Sequence, residues 1–595
     1  MEPHVIKHLT ACRQTLRRAL LALACLLCWS QAWAATQDTI YLYSSPITKA
    51  FFAANGTNYD ALKGRWEEYL RSHQQRSSRQ VSRAELLAGL PPGVLLLGSA
   101  VLLDDQERQA INRFADSGGS VLATWGTGAR DGKGRWSGYG FVEQLFDVKI
   151  NGLIASGKNE RFLNTFGDSP LSWPLPAGER IFVGDGAEQP LRVSAKNLAG
   201  RYFDWGRLPT AKDSNGAISF IEKAGSRRVY LSFCESSWEF DERSELPRLF
   251  NSIFAWLRHQ PQVFKAAWPH GDLSAQLLEM DTEDKFANGL NFARELDANG
   301  IRGTFYALTS VALKNKDVLQ KLAEKHEIGY HAEVHVGFKG KSESAQEERL
   351  KNMVAEMKDM VGSRALPRVT GFRAPTESYD ETTEKLLRRV GIRHHVVDPS
   401  STDARLPFFS KSEIGLGTED AIVVLPRSQL DDLNYLSLKL NTEKASELIA
   451  LDFDYLNESG SLGVLSIHSQ NYAPDGLMAK LTPPYLKRLQ EHRKDVWTAT
   501  GGDIEAWWRA RERVVHEVKI GEPATALNFT VRAPGNVGGL TFFVTHPMAD
   551  AGPKAITPRS PQAPRPEVSR IDAYRSAIIF RETLPTGQYS YGIEF

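Results

Sequence analysis

The sequence predicts an α/β protein of several domains with a (β/α) barrel at its centre, and three observations predict it. Apolar runs of strand length, such as Val94-Leu95-Leu96-Leu97 and Val121-Leu122-Ala123, recur through the first 515 residues, and runs that short, bounded by turn residues, read as buried strands. Helical stretches closed by glycine lie between them, as in Gln106 to Ser117 followed by Gly118-Gly119, the strand, helix, glycine, strand rhythm of parallel sheets. From Leu277 onward the strands end one after another on acidic, basic or imidazole side chains, as they do when a barrel gathers its chemistry at the C-terminal rim.

Length and composition set the outer bounds. At 595 residues the chain exceeds what one core serves, so two to four domains are expected. Its 42% hydrophobic and 24% charged content is that of ordinary globular protein. A formal charge of +1 leaves no electrostatic footprint for a nucleic acid, so none is expected as a partner.

Residues 1–34 read as a secretory signal. Lys7, Arg13, Arg17 and Arg18 precede an apolar run from Ala19 to Trp29, and Ala32-Trp33-Ala34 supplies a cleavage site before Ala35. The run is too short to span a bilayer, and Ala22 stands where a lipoprotein signal built on Cys25 would want a large aliphatic residue. The mature chain is thus expected to carry no transmembrane span and to be periplasmic or secreted. Three of the four cysteines (Cys12, Cys25, Cys28) fall in the segment to be removed. The remaining Cys234 has no disulfide partner in the mature chain and reads as a small buried hydrophobe.

Residues 35–260 form the first predicted domain. Ile40-Tyr41-Leu42-Tyr43, Val94 to Gly98 and Val121 to Trp125 read as parallel strands, with later strands at Ala217 to Ile221 and Val229 to Phe233 and a helix from Glu245 to His259. The run from Val94 to Gly128 resembles the flavodoxin-like fold of class I glutamine amidotransferases and their non-catalytic relatives. Active members carry a cysteine in the tight turn after the strand, where this chain has Trp125-Gly126-Thr127-Gly128. No nucleophile stands there, so the resemblance implies a structural, docking or glycan-positioning domain. Trp125 and Trp136 are candidate sugar platforms, although core or interface packing is the commoner role of a tryptophan.

Gln260-Pro261-Gln262 marks the boundary to residues 261–515. Helices are expected over Phe286 to Leu296, Val318 to Lys325, Thr382 to Val390, Glu443 to Asn457 and Ile504 to Arg511. Strands are expected at Leu277 to Met280, Thr304 to Leu308, Ile328 to Tyr330, Ile392 to Val397 and Gly463 to Ile467. Trp507 and Trp508 in the last helix read as packing.

The chemistry concentrates in four stretches. Asp281-Thr282-Glu283-Asp284 puts three acids within four positions at a strand end with nothing nearby to neutralise them, a cluster that wants a cation. His331 and His335 in Tyr330-His331-Ala332-Glu333-Val334-His335 face the same way if a helical turn follows the strand. Two neutral imidazoles and one carboxylate leave a fourth position open, the mark of a catalytic rather than a structural metal site. Gly371-Phe372-Arg373-Ala374-Pro375 and Leu465-Ser466-Ile467-His468 complete the set. Six of the fourteen histidines fall between 326 and 468; His326, His394 and His395 are taken as bystanders.

These stretches, in this order, resemble the motifs of the polysaccharide deacetylases of carbohydrate esterase family 4, the NodB-homology domains, over roughly residues 263 to 515. The resemblance implies a distorted barrel of seven strands and a divalent metal, zinc by ligand preference, with cobalt, nickel or manganese able to use the same donors. It implies Asp281 as the base, His331 and His335 as metal ligands, Arg373 as the partner that keeps Asp281 ionised, Pro375 as the turn that aims it, and His468 as the acid. Leu465 would help line a pocket for the acetyl methyl. The family's adjacent aspartates are replaced here by Asp281-Thr282-Glu283-Asp284, so the carboxylate ligand is Glu283 or Asp284; strand parity puts Glu283 on the side of Asp281. Asp398 stands where the family has an acid that raises the pKa of the histidine, but the tryptophan expected after it is missing, and Asp403 is an alternative.

Residues 516–595 switch to short alternating runs at Ala526 to Val531, Gly539 to Thr545, Ala577 to Arg581 and Tyr589 to Ile593, which predict a small antiparallel β-sandwich. Prolines 553, 558, 561, 564 and 566 mark an extended loop. The functional expectation is a metal-dependent deacetylase that removes N-acetyl groups from an amino-sugar exopolysaccharide in the periplasm, with export or synthesis proteins as further partners. An O-acetyl esterase on the same machinery and a non-catalytic glycan-binding or assembly protein are the alternatives.

Overall fold

A computed structural model describes residues 38–595 apart from 74–76, 155–161, 166, 176–177, 184–187, 203–214, 239–244, 399–403, 412–416 and 522–525. The signal segment, its cleavage site before Ala35 and Asp403 lie outside the described residues. Among the described residues no helix is long and apolar enough to cross a membrane.

The N-terminal region is organised on an eleven-stranded sheet. Ser78–Val81, Ile40–Tyr43, Val94–Leu97, Ser120–Thr124 and Ser226–Leu231 lie side by side in that order and all parallel. The apolar runs at Ile40, Val94 and Val121 are buried throughout, as strands covered on both faces must be. Beyond Ser226–Leu231 the pairing turns antiparallel through Gly216–Lys223. The expected helices are present as Asp105–Asp116, held by a reciprocal cap between Asp104 and Glu107, and Leu246–Leu257. Trp125 follows its strand at φ 44°, so the tight turn exists, and its indole N–H donates to the Gln189 carbonyl at 3.0 Å. Trp136 is 57% exposed.

The central region is a curled, open sheet. Eight parallel strands run β1 (Ser274–Thr282), β2 (Thr304–Ala307), β3 (Glu327–Tyr330), β4 (Gly371–Arg373), β5 (His394–Val397), β6 (Val423–Pro426), β7 (Leu462–His468) and β8 (Val496–Thr498), one more than the seven expected, the last pairing with the start of β1. β1 pairs with both β2 and β7, and pairing continues from β2 to β6, but β6 and β7 are not hydrogen-bonded to each other. The sheet is therefore curled and open there, as a distorted barrel is, and a short antiparallel strand, Phe408–Phe409, covers the β6 edge.

Strand parity sorts the side chains into two populations. Leu278 and Met280 of β1, Phe305 and Ala307 of β2, Phe372 of β4 and Leu465 and Ile467 of β7 face the surrounding helices in one core. Inside, Leu277, Tyr306, Val396, Leu425 and Val464 form an apolar floor. Above the floor the same strands carry Glu279, Asp281, Arg373 and His468. Tyr306 fits because Gly329 lies against it: a Cβ there would meet the ring at 2.5 Å.

The expected helices fall within a few residues of their predicted ends, from Gly289–Ala298 to Gly501–Arg513. Unforeseen are β6, the helix Leu477–Glu491 and two helices that matter below, α1 (Glu343–Val361) and α2 (Asp432–Ser437). Polar residues dominate α1 and hide the spacing of its buried Met353, Met357 and Met360. Trp507 and Trp508 are buried, the former donating to the Ala267 carbonyl at 2.7 Å.

The C-terminal region has two four-stranded antiparallel sheets. Their inner faces meet through pairs such as Phe529 and Phe542, with ring centroids 4.8 Å apart. One sheet recruits Val263–Lys265 from the segment before the barrel, pairing it with Thr541–Thr545. The proline-rich stretch is not wholly a loop: Ala555–Pro558 is a strand that pairs with Gly587–Glu594.

Candidate active site

Asp281 sits near the end of β1, fully buried, in register with Tyr306 on one side and His468 on the other. Its Oδ2 takes the Arg373 Nε–H at 2.7 Å. Arg373 also pairs with Glu279, two residues back on the same face, and with Glu377 at 2.7 Å. One buried guanidinium thus answers three carboxylates, which burial alone would drive to their neutral forms. Glu279 shows the strain: burial, with Asp281 adding to it against the pull of Arg373, lifts its carboxyl to about 7. Burial weighs on Arg373 too, but its acids outweigh it and hold the guanidinium charged. Pro375 is buried in the turn behind β4, where Thr376 and Glu377 take φ of 56° and 52° and return Glu377 toward Arg373.

Glu283 lies one strand period beyond Asp281. Its Oε1 stands 2.8 Å from His331 Nε2 and 2.9 Å from His335 Nε2, while Oε2 accepts from Gln470 Nε2 at 2.8 Å. Glu283, His331 and His335 offer ligand atoms within 4.8 Å of one another, and so do Asp281, Glu283 and His468. Asp284 belongs to neither group: its side chain is exposed and its carbonyl accepts the Ser469 hydroxyl at 2.8 Å.

The donor set fits a divalent cation for a reason beyond its composition. His331 Nδ1 donates to the Arg373 carbonyl at 3.0 Å, which leaves the lone pair of a neutral ring on Nε2, pointed at a carboxylate oxygen. Lone pairs facing at that distance repel unless a positive charge lies between them. Two acids also bear on the ring charge: burial opposes a second proton on His331, but Asp281 and Glu283 outweigh it and raise its pKa. Burial likewise opposes ionisation of Glu283, yet the hydrogen bonds and charge of His331 and the Gln470 amide bring it down to about 2. Asp281 Oδ1 is buried without a hydrogen bond, 3.7 Å from His331 Nδ1. The two imidazoles do not use a helical turn, as the four-residue spacing had suggested. Residues 331–338 are an irregular loop that starts with Ala332 at φ 69°.

His468 closes the opposite side, its Nε2 3.8 Å from Asp281 Oδ2. Its Nδ1 meets Asp432 Oδ1 at 2.8 Å, and Asp432 Oδ2 accepts the His468 backbone N–H at 2.8 Å and the Asn471 amide at 2.9 Å. Burial would lower the His468 pKa, but the Asp432 hydrogen bond and the charges of Asp281 and Asp432 lift it to about 9. The acid behind His468 is therefore Asp432, where the sequence pointed to Asp398. Asp398 instead pairs with Arg427 at 2.6 Å. Asp432 is fixed at the first turn of α2 by the reciprocal cap between Asp431 and Asn434. Leu465 is a second correction: three residues before His468 on β7, it faces the helices, fully buried in the outer core, and lines no part of this site.

Asp432, Glu279, Glu377 and Gln470 were missed in the sequence. The signal for Asp432 was an acidic pair, Asp431-Asp432, soon after the apolar run Ala421 to Leu425. Glu279 precedes Asp281 by two on the same strand and could have been found by parity; Gln470 lies in the 3-10 turn Ser469–Asn471 after β7, where parity does not reach.

Residues 290–395 match the polysaccharide deacetylase family. The matched stretch covers part of the central region and holds His331, His335 and Arg373, of which the two histidines belong, with Glu283, to a cluster able to hold a divalent metal. No curated protein matches the chain. Solved structures similar to it include a Mycobacterium smegmatis chain described as a polysaccharide deacetylase, at 22% identity over 42% of this chain and 96% of that one, TM-score 0.36. A Pseudomonas aeruginosa chain described likewise is 17% identical over 40% and 92%, TM-score 0.35. Agd3, described as a carbohydrate deacetylase, is 11% identical over 94% of this chain and 99% of its own, TM-score 0.38.

Proposed function

We propose that the protein is an exported, metal-dependent deacetylase that removes N-acetyl groups from an amino-sugar polysaccharide. The observation that carries the reading is the pairing of two proton-handling groups across one cluster: Asp281, held by Arg373 on one side, and His468, held by Asp432 on the other. Glu283, His331 and His335 would hold the metal, which supplies an activated water and a polarised carbonyl when bound. Asp281, grouped with Glu283 and His468 and paired with Arg373, acts as base. His468 donates its Nδ1 proton to Asp432, so its Nε2 is the atom that delivers a proton to the departing nitrogen. An amide needs that proton because an amine anion is too poor a leaving group, whereas an ester can leave without it. Zinc suits two imidazoles and a carboxylate.

The amino-sugar exopolysaccharide, the periplasmic location and contact with export or synthesis proteins extend the same reading. They are supported by the predicted signal and by the regions flanking the barrel. The N-terminal region, read as amidotransferase-like without a nucleophile, and the C-terminal sheets would position the polymer.

Acetate release from N-acetylhexosamine oligomers, measured before and after chelation and after restoring zinc, tests the proposal. Loss on chelation and recovery with metal is the expected result; activity indifferent to chelator overturns it. His468→Ala should lower amide cleavage more than cleavage of an O-acetyl ester, and equal losses would remove the case for the amide.

A further inference from the structure

We infer that Arg349, which no motif marks, is a positioning residue for His335: its guanidinium holds the turn that aims this imidazole at Glu283. The inference rests on the metal-dependent reading above. His331 and His335 are held in different ways. His331 follows directly from β3, its side chain is 2% exposed, and its Nδ1 is anchored on the Arg373 carbonyl. The His335 side chain is 43% exposed, and its contacts among the described residues are Glu283 Oε1 and the ring of His331, at 5.5 Å between centroids. Among the described residues its Nδ1 has no hydrogen-bond partner. Where its Nε2 points is therefore decided by its backbone.

That backbone is a tight turn. Val336 N–H donates to the Val334 carbonyl at 2.7 Å, which places His335 at the apex of a three-residue turn. Its neighbours cannot hold it by packing, since Val334 and Val336 are 42% and 49% exposed. Arg349 does so by hydrogen bonding. From α1 it gives Nε–H to Glu333 Oε1 at 2.5 Å, one Nη1 proton to the Gly337 carbonyl at 2.9 Å, and Nη2 protons toward the Val336 carbonyl at 2.7 Å and Glu333 Oε2 at 3.3 Å. Its plane lies over the Phe338 ring at 4.0 Å. The guanidinium thus grips the chain before and after His335 without touching the imidazole, leaving its nitrogens to Glu283 and a cation.

The grip is stiff at its root as well. Met353, Met357 and Met360 lock α1 into the barrel core; backbone bonds from Ser310 N–H to the Glu333 carbonyl and from Phe338 N–H to the Ser378 carbonyl hold the two ends of the loop, and Arg349 braces the turn between them. Only a planar fork serves three carbonyl and carboxylate acceptors at once; a lysine is a single point donor. Supports of this sort around metal ligands are worth about 10- to 100-fold in affinity.

Zinc and cobalt titrations of the full chain and of Arg349→Gln, Arg349→Lys, His335→Ala and the Arg349→Gln/His335→Ala pair test the inference, with the melting temperature of each metal-free protein measured alongside. Arg349→Gln should weaken zinc about 10- to 100-fold and shift the visible cobalt spectrum, while Arg349→Lys, which keeps the charge but not the fork, should fall between it and wild type. In the His335→Ala background the Gln substitution should cost no further affinity, because its effect passes through His335. Wild-type affinity in Arg349→Gln, or losses that add in the pair, would overturn the assignment. A merely structural role would lower the metal-free melting temperature and leave the affinity of the folded protein alone; Arg349→Lys supplies the same readings if the Gln variant does not fold. Should wild type bind no divalent ion, the metal reading fails first and takes this inference with it.

Discussion

Two buried carboxylates, Glu235 in the N-terminal sheet and Asp281 in the barrel, make an instructive pair. Each lies at or just past the end of a strand in a parallel sheet, each is sealed from solvent, and each has several partners. Glu235 is met by neutral donors: Trp66 Nε1 at 2.9 Å, Thr124 Oγ1 at 2.5 Å and the Ser99 hydroxyl. Burial outweighs these bonds and raises its pKa. Asp281 is met by a guanidinium, and one of its oxygens is left without a hydrogen bond. Neutral donors turn a buried acid into a rivet. Asp281 has a cation on one side and an open acceptor on the other, the arrangement the proposed base requires.

The largest effect is expected where the cation is removed. Arg373→Met leaves Glu279 and Asp281 without their guanidinium and Glu377 with Arg427 alone, 3.5 Å away, and breaking a buried pair in this way costs about 3–5 kcal/mol. Urea unfolding should show that loss together with the disappearance of acetate release; a near-normal midpoint would mean that the acids are not held by Arg373.

Asp281→Asn should separate stability from chemistry. It keeps the shape, and Arg373 keeps two acids, so the melting temperature should move little while turnover falls about 10²- to 10⁴-fold. Turnover within a few-fold of wild type would remove Asp281 from the role of base.

Glu235→Gln tests the other half of the comparison through pH. The folded protein holds the Glu235 proton more tightly than the unfolded chain, so its stabilising contribution is complete below the ordinary glutamate value and is lost as pH rises toward and through the folded pKa. The Gln variant should match wild type near pH 4, become the more stable of the two as pH rises to 8, and deacetylate normally. Parallel stability curves would show that folding leaves the proton affinity of Glu235 unchanged.

The smallest change is expected at Cys234, beside Glu235. Burial, with the Glu235 charge adding to it, pushes this thiol up to about 12. In the native protein it should resist thiol reagents and react at once in denaturant, and rapid native labelling would mean that this end of the sheet opens.

Legibility in the sequence followed the distance over which each feature is decided. His331, His335, Arg373 and His468 each end or follow a buried strand, and that placement was readable because strand length and parity are local. The parity argument also preferred Glu283 over Asp284, and Glu283 is the one grouped with the two imidazoles. Leu465 shows the same rule ignored: an odd separation from His468 puts it on the opposite face. Asp398 failed for a different reason. Arg427, distant in sequence, draws its carboxylate away, while α2 carries Asp432 to His468 across the edge where β6 and β7 do not pair.

From its residues alone the chain established that it has buried parallel strands, that acids and imidazoles collect at one rim, and that they want a cation, because apolar runs, parity and side-chain chemistry are properties of a few neighbouring positions. The folded arrangement alone determined which acid stands behind His468, how one guanidinium serves three carboxylates, and that an irregular loop held from α1 presents His335. Those outcomes depend on how helices far apart in the chain pack around the sheet, and no short window of sequence carries that packing.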